Sequence, residues 1–148
     1  MPAKRYLDDL AVGDSFISGE YTITRAEIID FAQRYDPQPF HLSEEAARQS
    51  LFGGLAASGW HTAAVSMRLL VQSLPLAGGV IGAGGEISWP RPTRPGDVLR
   101  VRSEIMQIMP SRSKPDRAIV LLQSETLNQN AEVAQRFVSK LVVFRRPG

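Results

Sequence analysis

Ser58-Gly59-Trp60-His61-Thr62-Ala63-Ala64-Val65-Ser66-Met67-Arg68-Leu69-Leu70-Val71-Gln72-Ser73-Leu74, followed at once by Pro75, is the stretch on which the fold turns. Ala63, Ala64, Val65, Met67, Leu69, Leu70 and Val71 are apolar with few polar residues between them, Ser58 is a capping residue, and Pro75 cannot continue a helix. The stretch therefore predicts a largely buried helix over Ser58 to Leu74, long enough to lie across a sheet. After Gly78 the chain changes character. Val80 to Trp89, Asp97 to Met109, Ala118 to Asn128 and Glu132 to Phe144 are strand-like runs, parted most clearly by Pro95-Gly96-Asp97 and Asn128-Gln129-Asn130. Leu99, Val101 and Ile105 fall on one face of their run and Arg100, Arg102 and Glu104 on the other. Helices followed by a four-strand meander describe an α+β fold with an antiparallel sheet against one long helix.

Upstream of the decisive helix the signals are shorter. Val12-Gly13-Asp14 marks a turn, and Ser15 to Ser18 with Tyr21 to Ile23 reads as a strand or short hairpin. Thr24-Arg25-Ala26-Glu27 fits a capping box, with Ile28, Phe31, Ala32 and Tyr35 on one face of a helix from about Thr24 to Tyr35. Pro37 ends that helix, because the residue before a proline disfavours the helical region. Asp36 to His41, with prolines at 37 and 39, predicts a stiff, irregular loop. Ser43 then caps a short helix through about Gln49, which Phe52-Gly53-Gly54 breaks.

Length and composition bound the remaining possibilities. With 148 residues, 43% of them hydrophobic and 22% charged, the chain is expected to form one compact domain over residues 1–148 rather than a disordered or fibrous segment. The absence of cysteine removes disulfides, thiol nucleophiles and thiolate metal sites, leaving His41 and His61 as the only imidazoles. That histidine count, with no ligand spacing, argues against a metal, and no glycine-rich loop has the order of a nucleotide-phosphate cradle, so no cofactor is expected. Residues 25–148 hold no apolar run near the roughly 20 residues that span a bilayer, and Met1-Pro2-Ala3-Lys4-Arg5-Tyr6 lacks the apolar core of a signal peptide. A cytoplasmic protein without a membrane partner is the expectation. The net charge is +2, carried on 14 Arg and 3 Lys with no basic block, so no nucleic-acid partner is expected either.

Two groupings carry possible chemistry. Asp36 and His41 lie five residues apart on a backbone pre-set by two prolines, and a carboxylate with an imidazole is a general acid/base pair. The alternative is that Asp36 caps a turn while His41 opens the next element, hydrogen-bonded to backbone. Ala56-Ala57-Ser58-Gly59-Trp60 enters the long helix, whose first N–H groups can hold an anion or a developing oxyanion with Gly59 allowing close approach. Equally, Ser58 caps the helix and Gly59 permits tight packing.

At these residues the chain resembles a known family. Asp36-Pro37-Gln38-Pro39-Phe40-His41 is similar to the Asp-x-Asn-Pro-x-His signature of the MaoC-like dehydratases and (R)-specific enoyl-CoA hydratases, which have the hot-dog fold. The resemblance extends over nearly the whole chain. It includes the helix before the motif, Ala46 and Phe52 after it, the small residues leading to Gly59, and Pro90-Arg91-Pro92-Thr93-Arg94-Pro95-Gly96-Asp97 before a strand. It implies a long central helix wrapped by an antiparallel sheet, a homodimer, and a trans-2-enoyl-CoA thioester as substrate. Asp36 and His41 would activate water, and the Gly59 N–H would polarise the thioester carbonyl. Gln38 and Ser43 depart from the pattern, standing where Asn and Asp are commoner.

Around Asp36, His41 and Gly59, the candidate substrate-binding residues are Gln38, Phe40, Trp60, Ser66, Arg91 and Arg94. Each has a plainer role open to it: Trp60 and Trp89 as core or interface aromatics, Ser66 bonded to a helical carbonyl, and Arg91, Arg94, Arg112 and Lys114 as solvated surface charge rather than contacts to coenzyme A phosphates. His61 reads as a helical histidine satisfied by a neighbour. An acyl-CoA thioesterase on the same fold and a non-catalytic acyl-CoA-binding subunit are the competing functions.

Overall fold

The computed structural model describes residues 3–148; Met1 and Pro2, which open the stretch read as lacking a signal-peptide core, lie outside the described residues. The long helix forms as α4, Gly59–Ser73, with the Ser58 hydroxyl accepting from the Trp60 N–H at 3.3 Å as its cap and the Leu74 N–H closing its end on the Leu70 carbonyl. Four strands follow it: β3 (Ile81–Ser88), β4 (Val98–Pro110), β5 (Arg117–Leu127) and β6 (Val133–Phe144). The expected four-strand meander holds for three strands only: β4, β5 and β6 pair antiparallel in sequence order, while β3 lies on the far side of β6 as a free edge, because two short upstream strands take the side of β4 that β3 would have needed.

The two short strands upstream are β1 (Ser15–Ile17) and β2 (Tyr21–Thr22). They do not form a hairpin with each other. Both lie antiparallel along β4, β1 against Arg102–Glu104 and β2 against Val98–Leu99, completing a six-stranded sheet. The Ser18 and Gly19 region between them bridges the gap: the Ser18 hydroxyl accepts from the Val101 N–H and the Ser18 N–H donates to the Val101 carbonyl. A longer partner strand thus recruits both pieces more readily than either could pair with the other.

The sheet curves over α4 and the two bury a common core. Alternation in β4 places Leu99, Val101, Ser103 and Ile105 inward, and β5 contributes Val120 and Leu122. Leu70 of α4 and Leu74, which caps it, pack with Ile105, Leu122, Leu141 and Val143 at one end. Val65 and Leu69 pack with Ile23, Ile28, Leu99 and Val101 at the other. One face of α4 stays open, because the sheet covers a single side of it. Trp60, Met67 and Val71 on that face are 60%, 39% and 45% exposed, so the helix is less buried than its composition suggests.

Between the sheet's first strands and α4 run three further helices. α1 (Arg25–Tyr35) begins with the expected capping box: Thr24 Oγ1 accepts from the Glu27 N–H while Glu27 accepts from the Thr24 N–H. α2 (Pro39–Leu42) is a single turn within the stretch expected to be irregular. Proline is disruptive inside a helix but suited to its first position, where its fixed φ is already helical and its missing N–H is not needed, and Pro39 occupies that position. α3 (Glu44–Arg48) is capped by the Ser43 hydroxyl on the Ala46 N–H. Among the described residues no helix is long and apolar enough to cross a membrane.

Candidate active site

Asp36 and His41 converge because three local features hold the connection between α1 and α2. The Asp36 N–H closes α1 on the Ala32 carbonyl at 2.9 Å, the Gln38 N–H turns back to the Asp36 carbonyl at 2.7 Å, and Pro39 starts the turn that carries His41. His41 Nε2 lies 3.4 Å from Asp36 Oδ2, with the imidazole 6% and the carboxylate 17% exposed. The other ring nitrogen, Nδ1, is 2.6 Å from the Ala56 carbonyl oxygen. A carbonyl only accepts, so Nδ1 bears a hydrogen and Nε2 is the nitrogen that faces Asp36. The backbone bond to His41 and its approach to Asp36, alternatives at the level of sequence, occur together. Phe40 meets the imidazole edge-on at 4.6 Å between ring centroids.

The carboxylate is held from both sides. Ser58 donates its hydroxyl to Oδ2 at 2.7 Å and Gln38 donates its amide to Oδ1 at 2.6 Å. Burial pushes the Asp36 carboxyl up, but the Ser58 and Gln38 hydrogen bonds and a charge on His41 together outweigh it, so its pKa lies below the ordinary 3.8. The longer amide at 38 thus still reaches the carboxylate.

Ser58 joins the two groupings that the sequence leaves separate, since the same hydroxyl caps α4 and fixes Asp36. Its capping role was legible; its bond to a carboxylate 22 residues away was not. Beside it, Gly59 is the first residue of α4, and among the described residues its N–H enters no hydrogen bond. A Cβ at Gly59 would stand 2.7 Å from Trp89 Cε2, so glycine also allows the indole to pack on the helix start. Close packing and a free donor therefore coexist at this position.

These groups face one cavity of about 410 Å³, within the range of small-ligand sites, with Asp36, Gln38, His41 and Gly59 among its walls and Phe40, Phe52, Trp60 and Trp89 as its apolar part. Trp60 and Trp89 meet edge to face at 5.3 Å and are both solvent-accessible, so neither is a core residue. Arg91 borders the cavity and pairs with Glu132 at 3.1 Å. Arg94 is turned inward instead: its guanidinium donates to the carbonyls of Phe52, Gly54 and Leu55, which leaves it bracing the loop rather than facing the cavity. Ser66 also lies apart from the cavity, bonded to the Thr62 carbonyl at 2.7 Å and to the Thr126 hydroxyl at 2.6 Å.

His61 lacks the hydrogen-bonding neighbour expected for it among the described residues. It stacks flat on Phe31 at 4.6 Å, and its Nδ1 is buried without a hydrogen bond. Burial lowers its pKa below the ordinary 6.5, against the opposing charge of Glu27.

Two acceptors 3.4 Å apart, one a carboxylate and one an imine-type nitrogen, can share one water and take its proton, while the unused N–H at the helix start can stabilise a developing oxyanion. A family model described as a MaoC-like domain matches residues 10–126, which include Asp36, His41 and Gly59. The 3-hydroxybutyryl-CoA dehydratase of Methylorubrum extorquens is 32% identical over 110 residues, 74% of this chain and 69% of that protein. The crystal structure of a MaoC-like dehydratase from Rhodospirillum rubrum is 64% identical and superposes with a TM-score of 0.96 over 97% of this chain and 99% of the other. The R-hydratase PhaJ1 from Pseudomonas aeruginosa, 22% identical over 95% of this chain and 86% of its own, shares the fold with a TM-score of 0.77. The six-stranded antiparallel sheet around α4 is a hot-dog fold, and the chain belongs to the MaoC-like dehydratase family.

Proposed function

We propose that the chain reversibly hydrates a trans-2-enoyl-CoA to an (R)-3-hydroxyacyl-CoA, with Asp36, His41 and Gly59 as its catalytic groups. The observation that carries this reading is the 3.4 Å approach of His41 Nε2 to Asp36 Oδ2 beside a helix-start N–H with no partner. In the forward direction a water held by both side chains gives its proton to Nε2 as its oxygen bonds to C3. The C2–C3 π electrons move toward the thioester, whose oxygen gains charge and is met by the Gly59 N–H. The imidazolium, offset by the Asp36 carboxylate, returns the proton to C2. Hydroxyl and hydrogen come from one water on one side, so addition is syn.

Gln38 and Ser58 keep the carboxylate ionised and aimed, and Phe40, Trp60 and Arg91 line the approach for the thioester. The M. extorquens relative, named for a CoA thioester, supports coenzyme A as the carrier. Hydration is followed as the loss of conjugated-thioester absorbance with crotonyl-CoA and longer enoyl-CoAs. Activity with at least one of them is the expected result, and none with any would overturn the reading. Release of free thiol in the same samples would identify a thioesterase instead, and binding with neither change a non-catalytic subunit.

A further inference from the structure

One part of the candidate cavity's wall is an indole. Trp89 leaves β3 and lays its ring against the first turn of α4, close enough that any side chain at Gly59 would collide with it. Two contacts hold the ring there: Nε1 donates to Gln135 Oε1 at 3.0 Å, and Trp60 packs edge-on against it. Gln135 is itself buried, 2% exposed, on β6.

On the other side of that hydrogen bond is a second, much smaller space of about 10 Å³, bounded by Ala63, Ser66, Leu70, Gln135 and Phe137 among others. Gly59, Ala63, Ser66 and Leu70 follow the i, i+4, i+7, i+11 spacing of one helix face, so the large cavity and the small space lie along the same side of α4. Trp89 borders the first and Gln135 the second. Two buried hydroxyl pairs bond α4 to neighbouring elements nearby, Thr62 with Thr93 at 2.9 Å and Ser66 with Thr126 at 2.6 Å.

We infer that the Trp89–Gln135 pair is the specificity-determining partition of the site, restricting it to enoyl-CoAs with short acyl groups. The inference rests on the hydratase reading for where the thioester sits. With the carbonyl at the Gly59 N–H, an acyl tail that runs along α4 meets the Trp89 ring within its first few carbons. A longer tail must displace the indole and leave the buried Gln135 amide oxygen without its donor, a cost that a short tail does not incur.

The test measures kcat/KM for crotonyl-CoA and trans-2-octenoyl-CoA, together with calorimetric binding of butyryl-CoA and octanoyl-CoA, which requires no turnover. The unaltered protein should prefer the four-carbon thioester by at least about tenfold, and Trp89→Ala should shift that ratio toward the eight-carbon thioester by at least about tenfold. Gln135→Ala, which frees the ring without deleting it, should shift the ratio in the same direction by less, and serves where Trp89→Ala does not fold by circular dichroism. Equal handling of both lengths by the unaltered protein, or an unchanged ratio in a folded variant, overturns the partition. Absence of hydration with length-selective binding that responds to the variants would sink the hydratase reading and leave the partition standing.

Discussion

At Asp36 the carboxylate accepts a hydrogen bond on each oxygen and faces an imidazole whose far nitrogen is anchored to backbone, so four side chains, those of Asp36, Gln38, His41 and Ser58, set the geometry of the candidate site. Asp36→Asn and His41→Ala should each lower turnover by at least about a hundredfold while leaving the fold intact by circular dichroism, the size expected for a general acid/base group. Ser58→Ala should act through Asp36. Removing that donor raises the carboxyl pKa, so the acid limb of the rate profile should move to higher pH while a neutral-pH rate survives in part. In the unaltered protein the depressed Asp36 pKa contributes stability that is present above the ordinary carboxylate value of 3.8 and is lost as pH falls through the folded value. The S58A variant should lose less stability over that window. His61 has the same direction of shift at a higher pH: its stability contribution is full above 6.5 and declines as acid protonates the unfolded chain first. His61→Phe keeps the stack on Phe31 and removes the unpartnered nitrogen, so it should gain about 1 kcal/mol at neutral pH and melt with less dependence on pH between 7.5 and 5.5.

The elements around the site are tied by backbone as much as by side chains. The connection from α3 to α4 has little regular structure, yet it supplies the Ala56 carbonyl that orients His41. Arg94, entering from the loop before β4, gathers the Phe52, Gly54 and Leu55 carbonyls of that connection, and the Ala57 N–H bonds to the Thr93 carbonyl beside it. Arg94→Met leaves three carbonyls without their charged donor and should cost about 2 to 3 kcal/mol of stability. Because the loosened segment also carries the His41 anchor, turnover per folded molecule should fall as well. Denaturant unfolding and the rate measured on the same sample separate these effects from a change in substrate affinity, which a direct contact of Arg94 with the thioester would produce.

For the whole molecule the exposed surfaces decide the assembly expected. β3 is an edge strand with most of its residues open to solvent, and the open face of α4 beside it presents Trp60, Met67 and Val71. An unpaired strand edge next to an apolar helix face is covered economically by a second copy, since two-fold pairing satisfies both surfaces at once. The protein should therefore sediment at twice 16.3 kDa at micromolar concentration, and a monomer there would contradict the dimer.

The sequence by itself determined what depends on periodicity and on local stereochemistry. The long helix was legible from Ser58, the apolar run and Pro75, and the four strands after it from alternation and from Gly96 and Asn128, whose turns the structure contains, but their order was not, since β3 pairs with β6 and only β4, β5 and β6 form a meander. Asp36 and His41 were legible as neighbours because only four residues, two of them prolines, separate them. Tertiary structure alone decided the rest. β1 and β2 could not be assigned to β4 from their own residues, since a strand's partner is set by which edge is free in the folded sheet. The bond from Ser58 to Asp36, the Ala56 carbonyl under His41, the inward turn of Arg94 and the Trp89–Gln135 contact all join residues far apart in the chain. Nothing in residue type records such pairings. They arise when the sheet closes over α4 and buried polar groups must find partners within a space whose shape the whole fold defines.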